Sequence, residues 1–128
     1  MPDAVPASRP ATLTVALGAA VGTGARALVG LALPMGDGGW PWPTLAVNLL
    51  GSFALGAVFG RADRGRGPTW SRGPGVTTGV LGSFTTFSAL AVETGRLVPS
   101  IALGYAAASL AGGLLAAALG WRTGRGRP

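Results

Sequence analysis

Ten consecutive residues carry the groups in this chain that are best suited to chemistry. The stretch from Gly79 to Ser88 (GVLGSFTTFS) holds two glycines, two serines, two threonines and two phenylalanines inside an apolar run. Hydroxyl groups are costly at membrane depth unless the protein itself uses them. We therefore interpret the stretch as part of a buried polar path.

The same stretch is expected to break its helix within Gly82–Thr85. Glycine weakens a helix, and serine and threonine side chains compete for its backbone hydrogen bonds. A break releases carbonyl oxygens that protein, water or a cation must then satisfy. The alternative is a continuous helix whose hydroxyls bond back to the preceding turn. Phe84 and Phe87 are three residues apart and are expected near one helical face, either as core or with their positive ring edges towards an anion.

Two more polar residues interrupt apolar sequence. Asn48 lies in the middle of the second run, where it either holds helices together or offers its NH₂ group to a passing anion. Arg26 lies within the first run, where it either draws anions into a vestibule or reaches towards the nearer membrane surface.

The later runs add three candidates. For Glu93, near the end of the third run, capping, pairing with an arginine and lining a vestibule all stay open. Tyr105 and Ser109 are four residues apart and share a face of the fourth helix. They either continue the polar path or bond to neighbouring helices.

The composition excludes most catalytic chemistry. Only 11% of the 128 residues are charged, against about 25% in an average soluble domain. Cysteine, histidine and lysine are absent, so thiolate, imidazole and Schiff-base chemistry are unavailable to the chain. We therefore expect a membrane protein that is not an enzyme. The arginines flank apolar runs without forming a contiguous basic face, which argues against nucleic acid as a partner.

Four apolar runs are long enough to cross a bilayer as helices, which predicts an all-α integral membrane protein. They cover about Ala11–Leu33, Pro43–Gly60, Gly75–Gly95 and Ser100–Trp121. The first is too long and too rich in glycine for a cleaved signal peptide. A polar turn is expected at Gly36–Gly39, with Trp40 and Trp42 as interfacial anchors. Residues 1–10 form an N-terminal segment, 11–121 the membrane domain, and 122–128 a basic tail that is expected to be disordered.

Arginines are distributed unequally between the two ends of the predicted spans. Arg96 lies alone at one end. The arginines at the other end are Arg9, Arg61, Arg64, Arg66, Arg72, Arg122, Arg125 and Arg127. Because positive charge favours the cytoplasmic side, both termini are predicted in the cytoplasm of a multi-pass protein of the cell membrane.

Three glycine pairs have a spacing of four residues. They are Gly18 and Gly22, Gly56 and Gly60, and Gly75 and Gly79. Small residues at this spacing let helix backbones approach closely in lipid. The pairs predict either tight packing within one subunit or a dimer face. We favour a dimer, because four short helices hardly enclose a hydrophilic route alone.

Three segments in this order resemble the Fluc/CrcB family of fluoride channels. Gly18–Arg26 (GAAVGTGAR) is similar to the family's first-helix motif, and Thr44–Phe53 (TLAVNLLGSF) is similar to its second-helix asparagine motif. Gly79–Ser88 is similar to its third-helix break. The resemblance implies passive export of fluoride down its electrochemical gradient by an antiparallel, dual-topology dimer with two pores.

The resemblance also implies roles for individual residues. Backbone carbonyls of Gly82 and Thr85, from both subunits, would hold a Na⁺ ion at the dimer centre. Asn48 would donate to fluoride, and Phe87 would be a pore phenylalanine. The residues implied in the polar track are Ser88, Tyr105 and Ser109, and those implied near pore and vestibule are Arg26, Thr44 and Glu93.

The sequence departs from the family pattern in two respects. Ala89 and Leu90 stand where the family usually has a pore threonine and a second pore phenylalanine. The arginine bias also differs from the balance that insertion in both orientations requires. We therefore hypothesise that the chain is fixed with its termini inside and pairs with an oppositely oriented homologue, each subunit contributing part of a pore. A homodimer stays open as the alternative.

Two other functions stay open at this stage. A small proton-coupled transporter needs a titratable group in the membrane, for which Glu93 is the candidate. A membrane scaffold or a non-conducting subunit needs no path at all. Fluoride flux that ignores a pH gradient separates the channel from the transporter.

Overall fold

The computed structural model describes residues 9–33 and 39–126, with only the backbone at Arg9. All regular structure in this part of the chain is helical. The helices are α1 (Arg9–Ala32), α2 (Trp42–Asp63), a 3₁₀ turn (Thr69–Arg72), a π-helix (Gly75–Leu81), α3 (Gly82–Phe84), α4 (Phe87–Arg96) and α5 (Pro99–Arg125). Most of the polar turn predicted at Gly36–Gly39 lies outside the described residues, as do residues 1–8.

Four stretches of helix have the length and composition to cross a membrane. They cover Pro10–Ala32, Trp42–Asp63, Gly75–Arg96 and Pro99–Arg125. At about 1.5 Å per residue, even the shortest of them matches a hydrocarbon core of roughly 30 Å. The predicted all-α membrane fold with four spans is confirmed. Disorder of the basic tail is wrong for Arg122–Arg125, which continue α5, because Gly124 packs against the backbone of Ala57 in α2.

Helices α2 and α5 run parallel and pack backbone against backbone. A Cβ atom at Gly56 would collide with the carbonyl of Ala117, and one at Gly120 would collide with the carbonyl of Phe53. Gly60 and Gly124 make equivalent approaches one turn further on. Lipid gives little hydrophobic drive for helix association, so close contact of this kind is a main source of cohesion.

Helix α1 pairs in the same way with the first half of the third span. Gly18 and Gly22 lie directly against the backbone of Gly75 and Val80, while Gly79 lies against Val15. All three glycine pairs found in the sequence therefore pack within one chain. Their interpretation as within-subunit contacts is confirmed, and their interpretation as a dimer face is wrong, because these surfaces are already covered.

The third span is interrupted at Thr85 and Thr86, whose ψ angles of 154° and 115° are extended. The break predicted within Gly82–Thr85 is confirmed at Thr85 and extends to Thr86, while Gly82–Phe84 still form a helical turn. It also separates the two phenylalanines. Phe84 ends α3 and Phe87 begins α4, so their expected position on one continuous helical face is wrong.

A small core lies between α2, α4 and α5. Leu45, Leu90 and Tyr105 are buried together, and Trp40 packs edge-on against Tyr105. Most other large apolar side chains of the described residues face outward, as expected for a surface in contact with lipid or a partner subunit. The core therefore supports one side of the helix break.

The glycine contacts lead to a stability prediction. Gly120→Ala places a Cβ against the Phe53 carbonyl, so we expect it to separate α2 from α5 and lower the free energy of unfolding by about 1–3 kcal/mol. Gly95→Ala is the control, because no heavy atom outside its own helix lies within 4 Å of a Cβ there. Unfolding in mixed micelles, followed by circular dichroism, gives both values. Equal stability of the two variants would contradict the packing.

Candidate functional site

Asn48 on α2 binds the backbone of the helix break through both ends of its amide. Its Nδ2 donates to the Thr86 carbonyl oxygen at 3.0 Å, and the Thr86 N–H donates to Oδ1 at 2.8 Å. An asparagine NH₂ group carries two N–H donors, so one of them is outside this pair. Asn48 therefore stabilises the break, and its second N–H lies outside this pair; donation to an anion stays a prediction.

The bond to Asn48 changes the hydrogen bonding of the preceding turn. In a continuous α-helix the Thr86 N–H would bind the carbonyl of Gly82, four residues earlier. Here it binds Asn48 instead, and the Gly82 carbonyl loses that donor. The N–H and Oγ1 of Thr85 both donate to the Leu81 carbonyl, at 3.1 Å and 3.0 Å. The Thr85 hydroxyl is thus bonded back to its own turn, while its carbonyl belongs to the extended segment.

Thr86 is the residue at this site that the sequence analysis did not assign. Besides its two bonds to Asn48, its Oγ1 accepts a hydrogen bond from the Ala89 N–H at 3.2 Å and caps α4. The same oxygen lies 3.2 Å from Ser88 Oγ. A threonine directly before a new helix is a recognisable N-cap signal, which was available in the sequence.

Glu93 is held by two hydroxyl groups from neighbouring helices. Thr44 Oγ1 donates to Glu93 Oε1 at 2.7 Å, and the Tyr105 hydroxyl donates to Oε2 at 2.8 Å. This carboxylate therefore connects α4 to α2 and α5. Among the described residues the one ion pair joins Arg125 and Asp63, so Glu93 does not pair with an arginine in this chain.

An open cavity of about 590 Å³, here called the charged cavity, lies on one side of the break. Its polar lining residues are Arg26, Thr44, Thr86, Ser88 and Glu93. Arg26 is half-buried there, within the first span. The two charged residues of the membrane region that were singled out from the sequence are thus brought to one cavity, together with Ser88.

A second open cavity of about 460 Å³, here called the neutral cavity, lies on the other side. Its polar lining residues are Asn48, Ser52, Thr77, Thr85, Thr86 and Ser109, and none of its lining residues is charged. Ser109 is 6% exposed, and its Oγ has no hydrogen-bond partner among the described residues. A buried hydroxyl without a partner is unusual and is a candidate ligand-binding group.

Thr86 is the one residue that lines both cavities. The two hydrogen bonds between Asn48 and Thr86 therefore lie at the boundary between a charged and an uncharged compartment. An anion that crossed this boundary would leave the surroundings of Arg26 and meet only neutral donors.

The remaining candidates take different positions. Phe87 and Gly82 line the neutral cavity, and the Phe87 side chain is 73% exposed. Tyr105 is fully buried and lines neither cavity, because its hydroxyl turns to Glu93. A polar track through Tyr105 and Ser109, which lie on one face of α5, stays a prediction.

Comparison with known proteins places this geometry in a family. The family described as "CrcB-like protein, Camphor Resistance (CrcB)" matches residues 13–121. A protein of Bordetella petrii is 45% identical over 84% of this chain and 86% of its own. One of Mesorhizobium japonicum is 38% identical over 91% and 97%, and one of Caulobacter vibrioides is 43% identical over 77% and 82%.

These three relatives all carry the name "Fluoride-specific ion channel FluC". The family match covers most of each of the four membrane spans, together with the helix break and the residues that line both cavities. Since the family and the relatives each match most of the chain, this protein belongs to the CrcB family.

Proposed function

We propose that this chain is a subunit of a fluoride-selective channel, through which fluoride leaves the cytoplasm passively, down its electrochemical gradient. Its relatives are named as fluoride channels, and the four spans are consistent with a multi-pass protein. An ion channel makes and breaks no covalent bond, which agrees with a chain that has no cysteine, histidine or lysine.

The observation that carries the proposal is a cavity without charged residues whose lining includes both Asn48 and Ser109. The Ser109 Oγ has no hydrogen-bond partner among the described residues. Fluoride is small and holds its water tightly, so it enters a protein only where donors replace that water. Neutral donors do so without the deep trap that a full positive charge would create. Conduction requires binding that is strong enough for entry and weak enough for exit.

The two cavities support different roles along the path: the charged cavity attracts anions, and the neutral cavity offers uncharged donors. Arg26, which makes no ion pair among the described residues, attracts anions to the charged cavity. The nearby Glu93 carboxylate has both oxygens bound by hydroxyls, which spreads its negative charge and lessens repulsion. The free N–H of Asn48 is next along the path, at the boundary. Phe87, whose ring has a positive edge, lines the neutral cavity beyond it.

A central Na⁺ ion is part of the proposal. The Gly82 carbonyl has lost the Thr86 N–H to Asn48, and the Thr85 carbonyl lies in extended backbone. Carbonyl oxygens suit a hard cation, so these two groups fit the ion that the family resemblance implies. When bound, Na⁺ supplies positive charge that offsets repulsion between anions, while the chain's own contribution is to present released carbonyls in a fixed turn.

A second subunit completes the site in this proposal. Phe87 is largely exposed and both cavities are open on one chain, so a dimer partner would enclose them. We propose an antiparallel, dual-topology dimer. The arginine bias favours a fixed orientation of this chain, with both termini in the cytoplasm and an oppositely oriented homologue as partner.

Leu90 supports a partner that is a homologue and not a second copy of this chain. The residue stands where the family usually has a second pore phenylalanine. Its side chain is 7% exposed and packs with Leu45 and Tyr105, so it acts mainly as core. One copy of this chain therefore offers one pore phenylalanine, Phe87, and a partner with its own aromatic residue would supply what is missing.

Fluoride efflux from liposomes tests the function and the pairing together. We expect weak flux from this chain alone and strong flux after coexpression with a homologue of reversed arginine bias. Flux should select fluoride over chloride and ignore a pH gradient, which distinguishes a channel from a proton-coupled transporter. Robust flux and a stable dimer of this chain alone would exclude the heterodimer, and absence of flux in both preparations would favour a scaffold.

Asn48→Asp should abolish fluoride passage. The change keeps an oxygen that accepts from the Thr86 N–H, so the break retains one of its two bonds. It removes both N–H donors of Asn48 and adds a negative charge that repels the anion. Electrode-detected efflux from liposomes gives the rate, and an unchanged size-exclusion profile controls for assembly. Flux equal to that of the parent would refute the role of Asn48.

Removal of Na⁺ should destabilise the assembled protein. With choline replacing Na⁺, the released carbonyls of Gly82 and Thr85 have no cation to bind, and we expect the melting temperature of the dimer to fall by several degrees. Return of Na⁺ should restore it, while equimolar choline chloride should not. A melting temperature that is the same in both salts would argue against a cation at this position.

A further inference from the structure

An arginine-rich surface lies at the end of the bundle where α2 and α5 finish. It consists of Arg61, Arg64, Arg66, Arg72, Arg122 and Arg125, with Asp63 as the one acidic residue among 61–126 at this end. The two helices are in contact there, since Gly60 packs against the backbone of Trp121. The loop after α2 and the last turn of α5 therefore form one continuous surface, here called the arginine surface.

Two of the arginines hold this surface together. Arg125 Nη1 lies 3.3 Å from Asp63 Oδ2, and its guanidinium stacks 4.4 Å from the centre of the Trp121 ring. Arg66 Nη1 donates to the Arg125 carbonyl at 3.1 Å, which satisfies an otherwise free group at the negative end of the α5 dipole. These contacts hold the loop against the end of α5, and the ion pair with Arg125 compensates the charge of Asp63.

The other four arginines are left with their charge uncompensated. The side chains of Arg61, Arg64, Arg72 and Arg122 are exposed and make no hydrogen bond or ion pair within the described residues. A guanidinium matches a phosphate group in charge and in geometry, through two parallel N–H donors. The surface is therefore equipped to bind phosphate oxygens.

The position of the surface identifies the source of that phosphate. It lies at the ends of two membrane spans, and the ends of such spans are expected at the depth of the lipid headgroups. Trp70 beside it is 70% exposed and Trp121 is 39% exposed, as is usual for tryptophan at a membrane interface. Neither cavity includes any of the four free arginines, so the surface is separate from both.

We propose that the arginine surface binds anionic phospholipid headgroups in the leaflet at this end of the bundle. Binding places phosphates on the free arginines while the tryptophan rings lie among the upper acyl chains. This interaction is separate from ion conduction, because the surface shares no residue with either cavity.

Tryptophan quenching by brominated lipid tests the proposal. The chain has four tryptophans, and Trp40→Phe with Trp42→Phe leaves only Trp70 and Trp121 as reporters. In assembled protein in bilayers, we expect brominated phosphatidylglycerol to be preferred over brominated phosphatidylcholine by roughly five-fold or more. Equal quenching by the two lipids would overturn the proposal, and so would loss of the preference in millimolar inorganic phosphate, which indicates a soluble-anion site.

Charge variants separate headgroup binding from a structural role. In the reporter background, Arg64→Gln with Arg122→Gln should reduce the preference several-fold, while Arg64→Lys with Arg122→Lys should keep most of it, because the charge is retained. Arg96→Gln at the opposite end is the matched control and should change nothing. If the lysine pair loses the preference as fully as the glutamine pair, or if Arg96→Gln does so, the assignment fails. The quenching measurement does not depend on fluoride flux, so it can fail without contradicting the proposed channel function.

Discussion

The two hydrogen bonds between Asn48 and the Thr86 backbone are the interaction on which the polar part of this structure depends. A helix broken inside a membrane leaves N–H and C=O groups that lipid cannot satisfy. One amide on the neighbouring helix satisfies a donor and an acceptor of Thr86 together. The helix then resumes at once, because the Thr86 hydroxyl caps α4. The break is therefore a defined structure, and it divides the surroundings into two cavities.

Glycine contacts supply the frame that brings Asn48 to the break. Parallel pairs of helices, α2 with α5 and α1 with the first half of the third span, approach so closely that a Cβ atom would collide with the opposite backbone. In lipid such contacts replace the large hydrophobic core of a soluble protein. The few buried side chains, such as Leu45 and Tyr105, are concentrated beside the break and support it.

No charged residue lines the neutral cavity. Arg26 and Glu93 lie on the opposite side of Thr86, and Glu93 is bound there by Thr44 and Tyr105. The remaining arginines of the described residues lie near the ends of the bundle. In the proposed channel, full charges would attract an anion only at the entrance and neutral groups would bind it beyond, an arrangement that suits conduction.

Much of this arrangement follows from local sequence. Four apolar runs determine the spans, and the Gly79–Ser88 stretch locates the break to within a residue or two, because these effects depend on near neighbours in the chain. Contacts between distant residues were decided only by the tertiary structure. The sequence left open whether glycines such as Gly18 and Gly56 face a partner subunit, and whether Glu93 caps, pairs or lines a vestibule. Helix packing covers the glycines within the chain. It also brings Thr44 and Tyr105, from two other helices, to the carboxylate of Glu93.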